Sequence, residues 1–293
     1  MLFLVGCARI GFDGDRGQDL ALDGPGTADI STPERPAMVD GLPLDQPGIT
    51  DGPITEGPAA DGPGAPTGTI VPLYVDPPHN MWTALAQHKQ AHPKLPVVAV
   101  VNVVDGPTKS SKPEYETGIA ALSLSGVTVI GYVNTNYGNR DIGLVKQDID
   151  RWNSFYSAHG LKGIFLDRQA TAAAELSFYQ DATQHAKGKG LSPVVGDPGV
   201  DPDPSYVGVM DTMVIYQGKG LPPISSLGGW HTQHPRESFA VLAYDVPQLD
   251  KSFVASARKN VGYLYITDDG AGTQDPWDSL SSTFDALLVE LEK

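Results

Sequence analysis

Cysteine is nearly absent from this sequence: Cys7 is the single example in 293 residues, so no disulfide can form within the chain. Basic residues are scarce too. There are 20 Lys and Arg against 35 Asp and Glu, a formal net charge of −15. A chain so short of cations has little with which to neutralise phosphates, which argues against nucleic acid as a partner. No stretch approaches the roughly 18 consecutive apolar residues of a membrane-spanning helix. Residues 8–66 hold no Trp, no Tyr and no Lys, and are crowded with Gly, Pro and Asp, as in "TDGPITEGPAADGPGAP". Such a stretch cannot bury enough apolar area to offset its ordering entropy, and it shows no repeat period, so a disordered linker is expected. Its Asp-Gly steps do not have the spacing of a calcium-binding helix-loop-helix.

Cys7 follows Leu4-Val5-Gly6. A small residue just before a cysteine resembles a bacterial lipoprotein signal, although the apolar run is short and has no basic start. Either a start lying upstream or chance accounts for that. The expectation adopted is a lipid anchor at Cys7 (residues 1–7), then an acidic spacer over 8–66, and then one folded domain over 67–293. An exported protein displayed at a cell surface follows, touching a membrane only through that lipid.

What is abundant lies beyond Thr67: apolar strand-like runs alternating with helical patterns. The runs are "TIVPLYV" (69–75), "LPVVAVVNV" (95–103), "VTVIGYV" (127–133), "KGIFLD" (162–167), "SPVVGD" (192–197), "DTMVIYQ" (211–217), "SFAVLAYD" (238–245) and "VGYLYITD" (261–268). Helices are expected near 79–91, 113–124, 172–187, 248–259 and 277–291. The clearest helix follows the third run, where Ile142, Val145, Ile149, Trp152, Phe155 and Tyr156 share one face. Eight apolar strands alternating with helices predict an α/β fold, a (β/α)8 TIM barrel. A doubly wound sheet would carry a Gly-rich turn after its first strand, where this chain reads "VDPPHNMW".

Barrel chemistry sits at the C-terminal ends of the strands. Those ends carry Tyr74 and Asp76, Asn102 and Asp105, Tyr132 and Asn134, Asp167, Asp197, Tyr216 and Gln217, Tyr244 and Asp245, then Thr267, Asp268 and Asp269. Amides and carboxylates bind hydroxyls and aromatic rings stack on pyranose faces, so this rim suits a sugar. Hydrolysis of a glycosidic bond needs two carboxyl groups, and Asp167 is the first candidate. A strand-end Asp also serves, more commonly, to cap a helix or hold a loop. No cofactor is implied. "HTQH" (231–234) lacks an acid in metal-ligand register, and "TDDG" (267–270) reads as a polar turn.

In order, "VPLYVDP" with Trp82, "VVNVVDGP", "VIGYVNTNYGNR", "GIFLD", "VVGDPGV", "DTMVIYQ" and "GYLYITDD" with "PWDSL" resemble spherulation-specific family 4, the spherulin-4-like proteins, over most of residues 69–291. The resemblance implies a barrel related to glycoside hydrolases, and an endo-acting hydrolase of galactosaminogalactan. In that family the fourth strand typically ends in Asp-Glu and the sixth in a catalytic Glu. Here Arg168 follows Asp167, and Gln217 stands at the sixth strand end. Gln neither gives nor takes a proton usefully near neutral pH.

Three readings follow. In the first, a monomeric surface glycosidase uses Asp167 as principal acid, with Asp197, Asp245 or Asp268 in place of the missing carboxylate. In that reading a substrate N-acetyl group can instead act as nucleophile. In the second, the barrel binds sugar without cutting it, and Arg168 and Gln217 join Tyr74, Asp76, Asn102, Tyr132, Asn134, Tyr216, Tyr244, Asp245 and Asp268 as ligand contacts. In the third, the barrel is an adhesive surface domain only.

Overall fold

Val, Ile and Leu in unbroken runs, rather than in alternation, mark strands covered on both faces, and the chain folds accordingly. The computed structural model describes residues 66–270 and 275–293. Cys7 and the linker expected over 8–66, apart from its last residue, lie outside the described residues. Eight strands run β1 (Thr69–Leu73), β2 (Val97–Val101), β3 (Thr128–Asn134), β4 (Leu161–Asp167), β5 (Val194–Asp197), β6 (Thr212–Lys219), β7 (Phe239–Tyr244) and β8 (Tyr263–Ile266). All pair in parallel in the order of the chain. Gly68 closes the ring: its N–H donates to Gly262 O (2.8 Å) and its carbonyl accepts from Leu264 N (3.0 Å). A side chain there would begin 2.7 Å from Pro96 O, so glycine lets the seam shut.

The outer layer holds α1 (Asn80–Ala91), α2 (Pro113–Leu124), α3 (Ile142–Tyr156), α4 (Leu176–Gly188), α5 (Lys251–Ala257) and α6 (Phe284–Leu291). The amphipathic face predicted after the third strand becomes α3, with Val145, Ile149, Trp152 and Tyr156 buried. Asp141 caps it by accepting from Leu144 N (3.1 Å). The Trp152 ring lies flat on β3 at Gly131, where a Cβ would sit 2.4 Å from ring carbon Cδ2. Trp152 Nε1 donates to Tyr132 O (2.7 Å), so the outer layer holds the site end of β3 directly.

Between β5 and β7 the helical layer reduces to single turns, such as Pro204–Tyr206, Ile224–Leu227 and Gly229–Gln233. The expected 172–187 helix is split, with one tight turn at Ala173–Glu175 before α4, and α5 and α6 are shorter than expected. "HTQH" falls in one of the turns. His231 is buried there with Nδ1 2.6 Å from Gly228 O and Nε2 2.8 Å from Asp201 Oδ1, so it fastens two loops.

Asp105, Asn136, Tyr137, Arg168 and Asp245 have φ between 48° and 56°. They are the non-glycine residues with left-handed backbone among the described residues, and all lie just past the C-terminal ends of β2, β3, β4 and β7. Each costs about 1–3 kcal/mol, held in place by surrounding structure. The strain of the fold is gathered on one rim.

Candidate active site

Register builds the site. Asn134 on β3 pairs with Asp167 on β4, and Asp167 with Asp197 on β5. Paired residues of parallel neighbours point to the same side about 4.8 Å apart, so one amide and two carboxyl groups stand in a row at the barrel mouth. Asn102 accepts from Gly106 N (2.9 Å) and shapes the turn after β2, which brings Asp105 to the row. Asp105 Oδ2 accepts from Asn134 Nδ2 (2.8 Å) and its Oδ1 from the Tyr132 hydroxyl (3.0 Å). The same Tyr132 hydroxyl makes a very short contact to Asp167 Oδ2. One phenol has one proton, so the two carboxylates are alternative acceptors of it.

The backbone beneath Asp167 is rigidly held. Thr135 Oγ1 donates toward Asp167 O (2.8 Å) and Arg168 O (2.7 Å), while Tyr137 N donates to Arg168 O (2.7 Å). Gln169 N donates to Asp197 O (2.8 Å), tying the two carboxyl-bearing strand ends together.

Burial raises both acids, but their surroundings differ. Asp167 is pushed up to about 6 by burial, opposed by the Tyr132 hydrogen bond and the Arg168 cation, whose Nε lies 3.9 Å from Oδ2. Asp197 is raised well above the carboxylate range by burial and by the Asp167 charge. Among the described residues only the Gly199 N–H favours its ionised form, and its Oδ1 has no hydrogen-bond partner there. Asp167 is therefore the first of the pair to ionise, and Asp197 keeps its proton longer. Burial, then the Asp167 charge, hold Tyr132 well above its usual range, and burial followed by Asp167, Asp197, Asp275 and Asp105 does the same for Tyr74. Both phenols stay donors. Their rings meet edge to face at 5.8 Å.

Gln217 stands beside Asp197. Its N–H donates to Gly199 O (2.9 Å), and its Cβ and Asp197 Oδ1 lie 3.7 and 3.8 Å from the point where a Gly199 side chain would begin. Tyr74, Tyr132, Asn134, Asp167, Arg168, Asp197 and Gln217 are thus brought together. The other expected residues are engaged on the rim. Asp76 accepts from the Tyr115 hydroxyl. Tyr216 donates to the Lys219 and Gly220 carbonyls (both 3.0 Å), and Tyr244 packs on Trp277 at 5.7 Å. Asp245 pairs with Lys219 (2.6 Å), and Asp268 accepts from Ser282.

Asp105 stands past a strand end with no role legible from sequence, and Asp275 stands at no strand end at all. Asp105 lies four residues past β2, and Asp275 belongs to the loop before α6; only chain folding brings either near the phenols. Among the described residues no three His, Cys, Asp or Glu side chains converge as metal ligands.

The family described as spherulation-specific family 4 matches residues 68–290. Spherulin-4 of Physarum polycephalum is 32% identical over 220 residues, 71% of this chain and 65% of that protein, so the chain spans just under two thirds of that relative's length. Among solved structures, Aspergillus clavatus Sph3 in complex with GalNAc superposes with a TM-score of 0.70 at 24% identity, over 78% of this chain and 99% of that one. The Bacillus cereus spore cortex-lytic enzyme SleL gives 0.53 at 10% identity, over 79% and 76%. These two likenesses concern the fold.

Proposed function

This chain belongs to spherulation-specific family 4, and from that premise we propose that it is a glycoside hydrolase acting on an amino-sugar polysaccharide, with Asp167 and Asp197 as the working pair. The observation that carries the reading is the register pairing of two carboxyl groups, Asp197 buried and Asp167 partly buried, with raised pKa values at the mouth of the barrel. Like charges so close share a proton, which supplies an acid and a base from one site. Near neutral pH Asp167 is the carboxylate and Asp197 the acid, a division that reverses the assignment of Asp167 as acid expected from sequence. Asp197 gives its proton to the glycosidic oxygen as the bond from C1 breaks. Asp167 stabilises the positive charge that develops there, either attacking C1, activating water or orienting a substrate acetamido group. Tyr74 donates to a sugar hydroxyl, and Tyr132 steadies the Asp167 charge. The Sph3 complex with GalNAc supports an amino sugar as the ligand class.

A second reading has its own observation. Gln217 lies beside Asp197, and Arg168 lies beside Asp167. A barrel that has exchanged acids for an amide and a cation at those places holds sugar without cutting it. Incubating the full chain with galactosamine-containing polymers separates the two. New reducing ends that vanish in Asp167→Asn support hydrolysis, whereas binding without new ends, with cleavage appearing in Gln217→Glu, supports the binding barrel.

No helix among the described residues is long and apolar enough to cross a membrane. Export with a lipid on Cys7 is part of the proposal, supported by Gly6-Cys7 and the Gly/Pro/Asp-rich stretch behind it. Mass spectrometry of the membrane fraction would detect the acylated cysteine.

A further inference from the structure

The turn Asn136-Tyr137-Gly138 has left-handed backbone at three successive residues, with φ of 48°, 56° and 77°. Asn and Gly are the residues expected in that conformation; a Tyr between them is not. The turn is over-determined. Asn136 N donates to Asn134 Oδ1 (2.8 Å) and Tyr137 N to Arg168 O (2.7 Å). Gly138 N donates to Thr135 O (3.1 Å), and the Glu175 side chain packs against Gly138. All of this fixes the backbone and none of it uses the Tyr137 ring, which is 51% exposed. The hydrogen bonds that hold the turn therefore do not account for the ring, although the turn accepts the strain of carrying it. The turn is joined by hydrogen bonds to Asn134, beside Asp105, and to the backbone of Arg168, next to Asp167. Val104, the neighbour of Asp105, and Val200, three residues past Asp197, also stand exposed on this rim. Most of the large side chains at the site itself are buried, so the exposed Tyr137 ring is a large aromatic face open beside it.

We propose that Tyr137 is the stacking platform of an outlying sugar subsite, receiving a pyranose ring of the polymer beyond the unit held at Asp167 and Asp197. This rests on the sugar-binding reading above and deepens it by naming the residue on the β3–β4 rim that receives a further sugar unit. An aromatic face offers a rigid apolar surface to the axial C–H groups of a pyranose, and the strained turn fixes its angle without a loop having to order.

Calorimetric titration of the full chain with a galactosamine-containing disaccharide and with a long oligosaccharide tests this. Tyr137→Ala is expected to weaken the long oligosaccharide by about 5- to 10-fold and to leave the disaccharide unchanged, with Tyr137→Phe matching wild type. Tyr137→Gly is expected to lose the same affinity while its Tm stays level or rises, because glycine relieves the strain. If Tyr137→Ala binds both ligands as wild type does, the subsite is wrong while the sugar site stands. If wild type binds neither ligand, the functional reading fails and the subsite with it.

Discussion

At the residue scale, Asp167 and Asp197 differ in neighbours more than in depth. Asp167 has a phenol and a guanidinium that favour its charge, and Asp197 has one backbone N–H. Removing the guanidinium is expected to make Asp167 harder to ionise. In Arg168→Gln, the rising limb of activity, which requires Asp167 as carboxylate, moves to higher pH; pH–rate profiles of both proteins check this. The same burial has a consequence for stability. An unfolded Asp ionises near pH 3.9, and folded Asp167 at about 6. Below the first value both states are protonated and folding carries no penalty. Between the two only the unfolded state ionises, so stability falls, and above about 6 the full cost of a buried charge remains. Asp167→Asn should therefore unfold at higher temperature than wild type at pH 8, by an amount worth about 1–3 kcal/mol, and show no gain at about pH 3. Sequence alone led to Asp167, Tyr132 and Asn134 because strand ends are readable. It could not divide the proton, because that division depends on Arg168 and Tyr132 lying on particular sides of one oxygen.

At the scale of elements, α3 and β3 form the support of the site. Trp152 rests on Gly131 and grips the carbonyl of Tyr132, the residue whose hydroxyl lies between Asp105 and Asp167. Gly131→Ala places a methyl inside the ring's contact distance, and a packed interior does not absorb it freely. A loss of about 1–3 kcal/mol is expected, seen as a Tm lowered by several degrees, together with reduced activity because the Tyr132 end of β3 shifts. Helical periodicity made α3 legible in full. The segment between β5 and β7 was not legible in that way: its turns, among them Pro204–Tyr206 and Ile224–Leu227, are single and lack an apolar face with a 3.6-residue repeat. The ends of β1 and β2 were overextended by two residues each, since Tyr74, Val75 and Val103 are as apolar or strand-prone as the residues before them.

At the scale of the whole molecule, a net charge of −15 governs which polymers approach. Amino sugars with free amino groups are cations, and their N-acetylated counterparts are neutral. Association with a de-N-acetylated polymer is expected to slow several-fold as salt rises from low to physiological strength, while association with the acetylated polymer changes little; stopped-flow binding at a series of salt concentrations checks both. The barrel itself was readable from eight apolar runs in sequence, because parallel strands buried on both faces leave that pattern. The central claim is that the Asp167–Asp197 pair at its mouth cuts a glycosidic bond. Its most direct test is the release of new reducing ends from a galactosamine-containing polymer between about pH 4 and 8, measured for wild type and Asp167→Asn. The account predicts activity that rises through about pH 6 in wild type and falls by about 100-fold or more in the variant. Equal release by the two proteins, or a rate that ignores pH across that range, would contradict it.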